Sequence, residues 1–358
     1  MDRGTRELMW SPTQNESAPV ALAVSIAADG NSVGEIRVFT IPSSRPKRNL
    51  GAAARERIVM VRTVLPPSGH NPDGRFSLLV PRSGPSVEKV APPVMSPAAL
   101  EVIDKGSTSP AHPVPLLFVH GAWHAAWCWD EHFLDFFADK GYRAVAPSLQ
   151  GHGSSAATKS LRALSIADYV GDVASVADTL PTPPVVIGHS MGGFVVQKFL
   201  ESRDIPAGVL MASAPPRGYL GSGIRWLRRH PWHFLKLSAS GRSLAYVSTP
   251  ELARERFFSP HTPDDLVASY AARLQEESAR SGVDGLIALP RPKRVSTPLL
   301  VLGAGLDGAV TAAEVRATAR AYGTEPEFFP DLGHNMMLEP GWRAVAERIH
   351  SWLGDRGY

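Results

Sequence analysis

Val185-Val186-Ile187-Gly188-His189-Ser190-Met191-Gly192-Gly193-Phe194-Val195-Val196 carries a short β-branched run into a serine boxed by glycines, and a helical pattern begins directly after it. Gly188-His189-Ser190-Met191-Gly192 has the form G-x-S-x-G. Between a strand and a helix, that form puts the serine on a sharp turn whose flanking residues must be small. The pentapeptide alone arises by chance in roughly one chain in four of such composition, so its surroundings decide.

A nucleophilic serine needs a base to take its proton, a carboxylate to orient that base, and amide donors for a tetrahedral oxyanion. Two later strand ends supply candidates. Leu299-Leu300-Val301-Leu302 leads to Asp307, and Glu327-Phe328-Phe329 leads to Asp331-Leu332-Gly333-His334-Asn335. Asp331 competes for the acid role, but it lies three residues before His334 and is suited to shaping that loop, whereas Asp307 follows a strand directly. His189 and His152 flank turns and are read as packing or hydrogen-bonding residues, since this chemistry needs only one base.

The 358 residues are 44% hydrophobic and 20% charged, an ordinary balance for a globular chain large enough for one α/β domain with an insertion. No apolar run reaches about 18 residues, so no membrane span is expected. Ala18 to Ala28 only weakly resembles a signal peptide. The single Cys128 cannot form an internal disulfide, which fits a reducing, cytoplasmic setting.

The net charge of +3 is unevenly spread, because residues 1–94 hold 12 Lys+Arg against 8 Asp+Glu and the remainder holds 25 against 26. The part carrying chemistry is therefore close to neutral, and nothing in it points to nucleic acid.

Residues 1–94 are rich in Pro, Gly and Ser without sustained periodicity and read as a mostly disordered extension. Gly34 to Ile41 and Arg75 to Pro81 are strand-like pieces in it, neither followed by a convincing partner. Met95 is a candidate start for the natural product.

From Ala98 onward, strands alternate with amphipathic helices, which predicts a doubly wound, mainly parallel sheet over residues 95–358. Strands are expected at Ala99–Ile103, Pro115–Val119, Arg143–Ala146, Val185–Ile187, Gly208–Ala212, Leu299–Leu302 and Glu327–Phe329. Ser165 with Asp168, and Thr311 with Glu314, predict capped helix starts, and Trp342 to Trp352 a final helix.

Between about residues 215 and 292 the alternation lapses into aromatic-rich helices, an inserted cap. Two of them open alike, at Thr249-Pro250-Glu251 and Thr262-Pro263-Asp264. The basic stretch Arg225 to His230 reads as a solvated helix face, with an anion or membrane contact as the sharper alternative.

His120-Gly121-Ala122-Trp123, Gly151-His152-Gly153-Ser154, Gly188 to Gly193 and Leu332-Gly333-His334 follow one another in the order and spacing of the α/β-hydrolases, which residues 98–358 resemble. The order Ser190, Asp307, His334 is that family's order of nucleophile, acid and base. Within the family, the run from His120 to Trp129 is similar to small single-cap serine esterases, a branch that also includes methylesterases and hydroxynitrile lyases.

The resemblance implies that the amides of Ala122 and Met191 form an oxyanion hole, with Trp123 and His189 near the substrate pocket. It also implies hydrolysis of a small to medium apolar ester through an acyl-enzyme. Lyase chemistry, carbon–carbon bond hydrolysis, and ligand sensing with little turnover stay open on the same scaffold.

Gly303-Ala304-Gly305-Leu306-Asp307-Gly308 also fits a dinucleotide fingerprint, but the capped helix starts at Thr311, outside the glycine run, so its amides would not converge on a pyrophosphate. No paired-cysteine, H-E-x-x-H or phosphate-loop motif occurs, and neither cofactor nor metal is expected. Oligomeric state is not legible.

Overall fold

The computed structural model describes residues 21–27, 35–41, 99–232 and 242–358, and the chain divides into two units, Met1–Val90 and Ala91–Tyr358. In the first unit, β1 (Ala21–Ala27) and β2 (Glu35–Ile41) form an antiparallel pair with Ala21 opposite Ile41 and Ala27 opposite Glu35. The expected strand ending at Ile41 thus finds a partner before it in sequence, in the run weighed as a signal peptide. The rest of the expected disordered extension, with the piece Arg75 to Pro81, lies outside the described residues.

The second unit is built on a sheet of seven strands ordered β3-β5-β4-β6-β7-β8-β9: β3 (Val102–Lys105), β4 (Leu116–Val119), β5 (Ala144–Pro147), β6 (Val185–His189), β7 (Gly208–Met211), β8 (Leu299–Ala304) and β9 (Pro326–Phe329). All pairs are parallel except the edge pair β3 and β5. The central strands read as unbroken apolar runs because both faces are covered, and β4 through β8 are buried throughout.

The pleat sorts the side chains. Leu116 and Phe118 of β4 enter the core with Phe133, Phe137 and Ile349, while Leu117 and Val119 enter the opposite one with Val173, Phe194 and Val315. The first core is covered by α1 (Trp127–Asp130), α2 (Phe133–Asp139) and α10 (Trp342–Gly354); the second by α3 (Ile166–Ala177), α4 (Met191–Phe199) and α9 (Ala312–Ala321). Both expected capping boxes form, at Ser165 with Asp168 and at Thr311 with Glu314.

Helix α4 lies unusually close to the sheet. A Cβ on Gly192 would stand 2.3 Å from the Val119 carbonyl oxygen and 2.4 Å from that of His120, and one on Gly188 would stand 2.6 Å from the Gly192 carbonyl oxygen. Side chains at these two positions would force helix and strands apart.

Between β7 and β8 lie α5 (Leu220–Arg229), α6 (Pro250–Phe257), α7 (Asp264–Ala271) and α8 (Ala279–Ile287). Thr249 caps α6 as expected, accepting from the Leu252 amide at 3.3 Å. Thr262 does not repeat that role. Its hydroxyl is buried beside the Glu339 carboxylate and donates to it at 2.9 Å, joining the Ser259 amide and hydroxyl, each at 2.6 Å. A buried carboxylate needs donors more than an exposed helix end needs a cap.

The insertion is tied to the core through a second buried acid, Glu277. His152 Nε2 lies 3.2 Å from Glu277 Oε2 as an ion pair, and the Tyr169 hydroxyl and Ser278 amide donate to Oε1 at 2.8 and 2.6 Å. Burial pulls the His152 pKa down, but the carboxylate beside it prevails and holds it above the usual histidine value. Burial likewise pushes Glu277 up, and His152 with the donors prevails and holds it below the usual carboxylate value.

The raised His152 pKa means that its contribution to stability is complete below the unfolded histidine value and is lost as pH rises through the folded value. Glu277, being lowered, contributes above the unfolded carboxylate value and loses that contribution as pH falls through the folded one. His152→Gln should therefore cost about 3 kcal/mol in denaturant unfolding at about pH 6, and the gap from wild type should narrow in alkaline buffer. A gap independent of pH would contradict the ion pair.

A second expectation contrasts two glycines. Gly192→Ala should prevent folding or lower stability by several kcal/mol, roughly the range of severe core overpacking. Gly171→Ala, on α3 with open space around the added Cβ, should raise stability by about 0.5–1 kcal/mol. Thermal melts of both variants check it.

Candidate active site

Strand β6 ends at His189, and Ser190 follows with φ 52° and ψ −118°, a left-handed conformation rare outside glycine. The turn is pinned on both sides. The Ser190 amide donates to the Met211 carbonyl at 3.2 Å, and its own carbonyl accepts from Ala214 at 3.0 Å and from Phe194 at 3.2 Å. The hydroxyl is thereby held above the carboxyl ends of the parallel strands, where sheets of this kind open a crevice.

His334 Nε2 lies 2.8 Å from Ser190 Oγ, and His334 Nδ1 lies 2.8 Å from Asp307 Oδ2. The side chains of His334 and Asp307 are each 1% exposed, so their hydrogen bonds are shielded from competing water. The second carboxylate oxygen, Oδ1, accepts from the amides of Ala309 and Val310 at 2.7 Å each. Two amides fix Asp307, Asp307 selects the imidazole nitrogen that carries its proton, and the other nitrogen faces the serine. Asp331 is exposed and forms no hydrogen bond to His334 among the described residues.

The histidine loop is also held from outside. The Asn335 amide donates to the Phe257 carbonyl at 2.9 Å, and the Phe257 ring stacks on that of His334 with centroids 5.9 Å apart. His189 is buried under the loop, with its Nε2 donating to the His334 carbonyl at 3.0 Å. Burial, followed by the charge of His334, holds His189 far below the usual histidine pKa, so it stays neutral. His189, expected near a substrate pocket, is thus placed as a buried brace beneath His334.

The loop after β4 approaches from the other side. A Cβ on Gly121 would stand 3.0 Å from the Ser190 Cβ, so the backbone of this loop borders the serine. His120 accepts from the Leu149 amide through Nε2 at 2.9 Å and donates through Nδ1 to the Gly121 carbonyl at 2.8 Å. His124 donates through Nδ1 to the Ala122 carbonyl at 2.8 Å and accepts from the Asn335 side chain at 3.0 Å. Burial lowers these two histidines to about 3 and about 4, so both act as neutral braces.

Trp123 has φ 65°, and its carbonyl accepts from the Gln275 amide at 2.8 Å. Neither the Ala122 nor the Met191 amide donates to another backbone carbonyl among the described residues. Met191 opens α4, where the helix dipole favours negative charge.

The residues brought together are therefore those the sequence named: Ser190, Asp307 and His334, with Ala122, Met191 and Trp123 around them. Sequence reasoning missed the roles of Asn335, Gln275 and Glu277, since each acts across the fold and none stands in a local pattern.

A family model described as the alpha/beta hydrolase family matches residues 116–348, more than half of the chain. The chain is 35% identical over 108 residues to a non-heme chloroperoxidase from Burkholderia pyrrocinia, covering 28% of this chain and 38% of that protein. It is 32% identical over 117 residues to an epoxide hydrolase 2 from Siraitia grosvenorii, covering 32% of this chain and 34% of that protein. These alignments thus span well under half of either relative. A thermophilic esterase structure from Thermogutta terrifontis superposes with a TM-score of 0.58 at 21% identity, covering 72% of this chain and 94% of that one. That likeness concerns the fold. With seven strands in this order and a family match across the described core, the chain belongs to the α/β-hydrolase family.

Proposed function

We propose that the protein is a serine hydrolase that cleaves a small to medium carboxylic ester through an acyl-enzyme. The observation that carries this reading is the continuous relay from Asp307 through His334 to Ser190, with both links at 2.8 Å. His334 takes the serine proton as Oγ attacks the ester carbonyl, and it returns that proton to the departing alcohol. Asp307 holds the imidazole in register and stabilises its charged form. Water, activated by the same histidine, then releases the acid and restores the serine.

The amides of Ala122 and Met191 are the donors for the tetrahedral oxyanion. One such donor is worth about 3 kcal/mol of transition-state stabilisation, so the braces that hold the 120–124 loop matter to rate. The helices between residues 215 and 292 act as a cap over the serine, with Trp123 as pocket wall. A domain running from residue 95 to 358 carries all of this, after an extension ending near residue 94. The buried, unpaired Cys128 supports a reducing, cytoplasmic setting, and burial pushes its thiol pKa up, away from reactivity. Among the described residues no helix is long and apolar enough to cross a membrane.

A fluorophosphonate probe should label wild-type protein at Ser190 within minutes, and Ser190→Ala should abolish labelling without changing the melting temperature. His334→Gln should slow labelling by roughly a thousandfold or more, the scale of losing a triad base. A well-folded wild type that remains unlabelled would refute the assignment.

A further inference from the structure

Beside Asp307 a cavity of about 490 Å3 is lined by Arg225, Arg228, Arg229 and Arg256, with Trp226 and the acid Glu255 among the other wall residues. Two of its four arginines are already neutralised. Arg225 forms a bidentate pair with Glu314 at 2.9 and 2.7 Å, and Arg229 reaches Glu255 at 3.0 Å. Arg228 and Arg256 form no ion pair among the described residues.

Arg256 is the unusual one. Its guanidinium carbon lies 5.2 Å from the Trp123 ring centroid and 5.4 Å from that of Trp226, so the cation packs on two indoles. Among the described residues its Nε has no hydrogen-bond partner, and neither does the Trp226 Nε1 at the same cavity wall. Buried donors of this kind normally find an acceptor. Stacking on aromatic faces holds a guanidinium in place but leaves its edge free, and that edge matches a carboxylate or phosphate. Asp307 does not serve: the donors to its oxygens are His334 and the amides of Ala309 and Val310.

We propose that Arg256, backed by Arg228, is an anion subsite adjoining the substrate pocket, so that the preferred ester carries a carboxylate or phosphate. The placement suits that role, since Arg256 touches Trp123 next to Ala122, and the adjoining Phe257 stacks on His334. Burial lowers the Arg256 pKa to about 10, with Asp307 opposing the shift, so the group stays charged at neutral pH. An anion arriving there supplies the missing hydrogen-bond acceptor.

The inference rests on the hydrolase reading, and its test separates the two. Wild type is assayed with matched esters: mono-4-nitrophenyl adipate against 4-nitrophenyl hexanoate for charge on the acyl side, and 3-carboxyphenyl against phenyl hexanoate for charge on the alcohol side. At least one anionic member should have a kcat/KM roughly 10–100-fold above its neutral partner, the worth of a charge-assisted hydrogen-bonded pair. Arg256→Met should erase that preference, raising KM for the anionic ester by a larger factor than for the neutral one. No anionic preference in wild type, or an equal loss on both esters in Arg256→Met, would overturn the subsite and leave Arg256 as a brace for Trp123.

Binding is read independently of turnover by titrating adipate and inorganic phosphate into Ser190→Ala and following tryptophan fluorescence. Saturable millimolar binding of adipate, lost in the double variant with Arg256→Met, supports the subsite even if no ester turns over. Absence of both signals rejects it whatever the fluorophosphonate result. Saturation by phosphate without anionic-ester preference would place a free anion there and overturn the substrate assignment.

Discussion

The constraint on which the site depends is the left-handed turn at Ser190. A non-glycine residue at φ 52° is strained by an amount on the order of 1–3 kcal/mol, and it persists only where its surroundings leave no alternative. Here those surroundings are the Met211 carbonyl and Ala214 amide that grip the serine backbone, and the close approach of α4 to the sheet that Gly188 and Gly192 permit. Relaxing the turn would break these hydrogen bonds or push α4 into the carbonyls of β4. The strain is thus balanced by packing, and its product is an unobstructed hydroxyl facing an imidazole.

Around that turn, the structure spends its buried polar groups on holding loops. His120, His124 and His189 are neutral and each fixes a backbone segment: the loop after β4 in the first two cases and the His334 loop in the third. Asn335 joins two of these loops by bonding His124. The insertion between β7 and β8 takes part through the Phe257 carbonyl, the Gln275 amide and the Glu277 carboxylate, which bond to Asn335, Trp123 and His152. A specificity element seated on α6, such as Arg256, therefore adjoins the chemistry without contacting it.

Much of this was legible in the sequence because it is local. Strand ends, glycine spacing around Ser190 and the two capping boxes are patterns of neighbouring residues, and all seven strands of the sheet lie within a few residues of their expected positions. The order of Ser190, Asp307 and His334 follows from which strand each one ends. What escaped is non-local. Thr262 carries a capping pattern yet serves Glu339, 77 residues away. The pairing of His152 with Glu277 and the stacking of Arg256 on Trp123 depend on how the insertion folds back, which no spacing encodes. The bond of His189 to the His334 carbonyl, 145 residues away, is likewise set by the fold and by no spacing.

The most direct test of the account is rapid-quench mass spectrometry of wild type mixed with a 4-nitrophenyl ester. The account predicts a burst of nitrophenol near one equivalent, together with an acyl adduct on the peptide containing Ser190 that decays at the turnover rate. Steady turnover with no acyl adduct on Ser190 would contradict it, leaving Ser190 and His334 to act only as an acid–base pair.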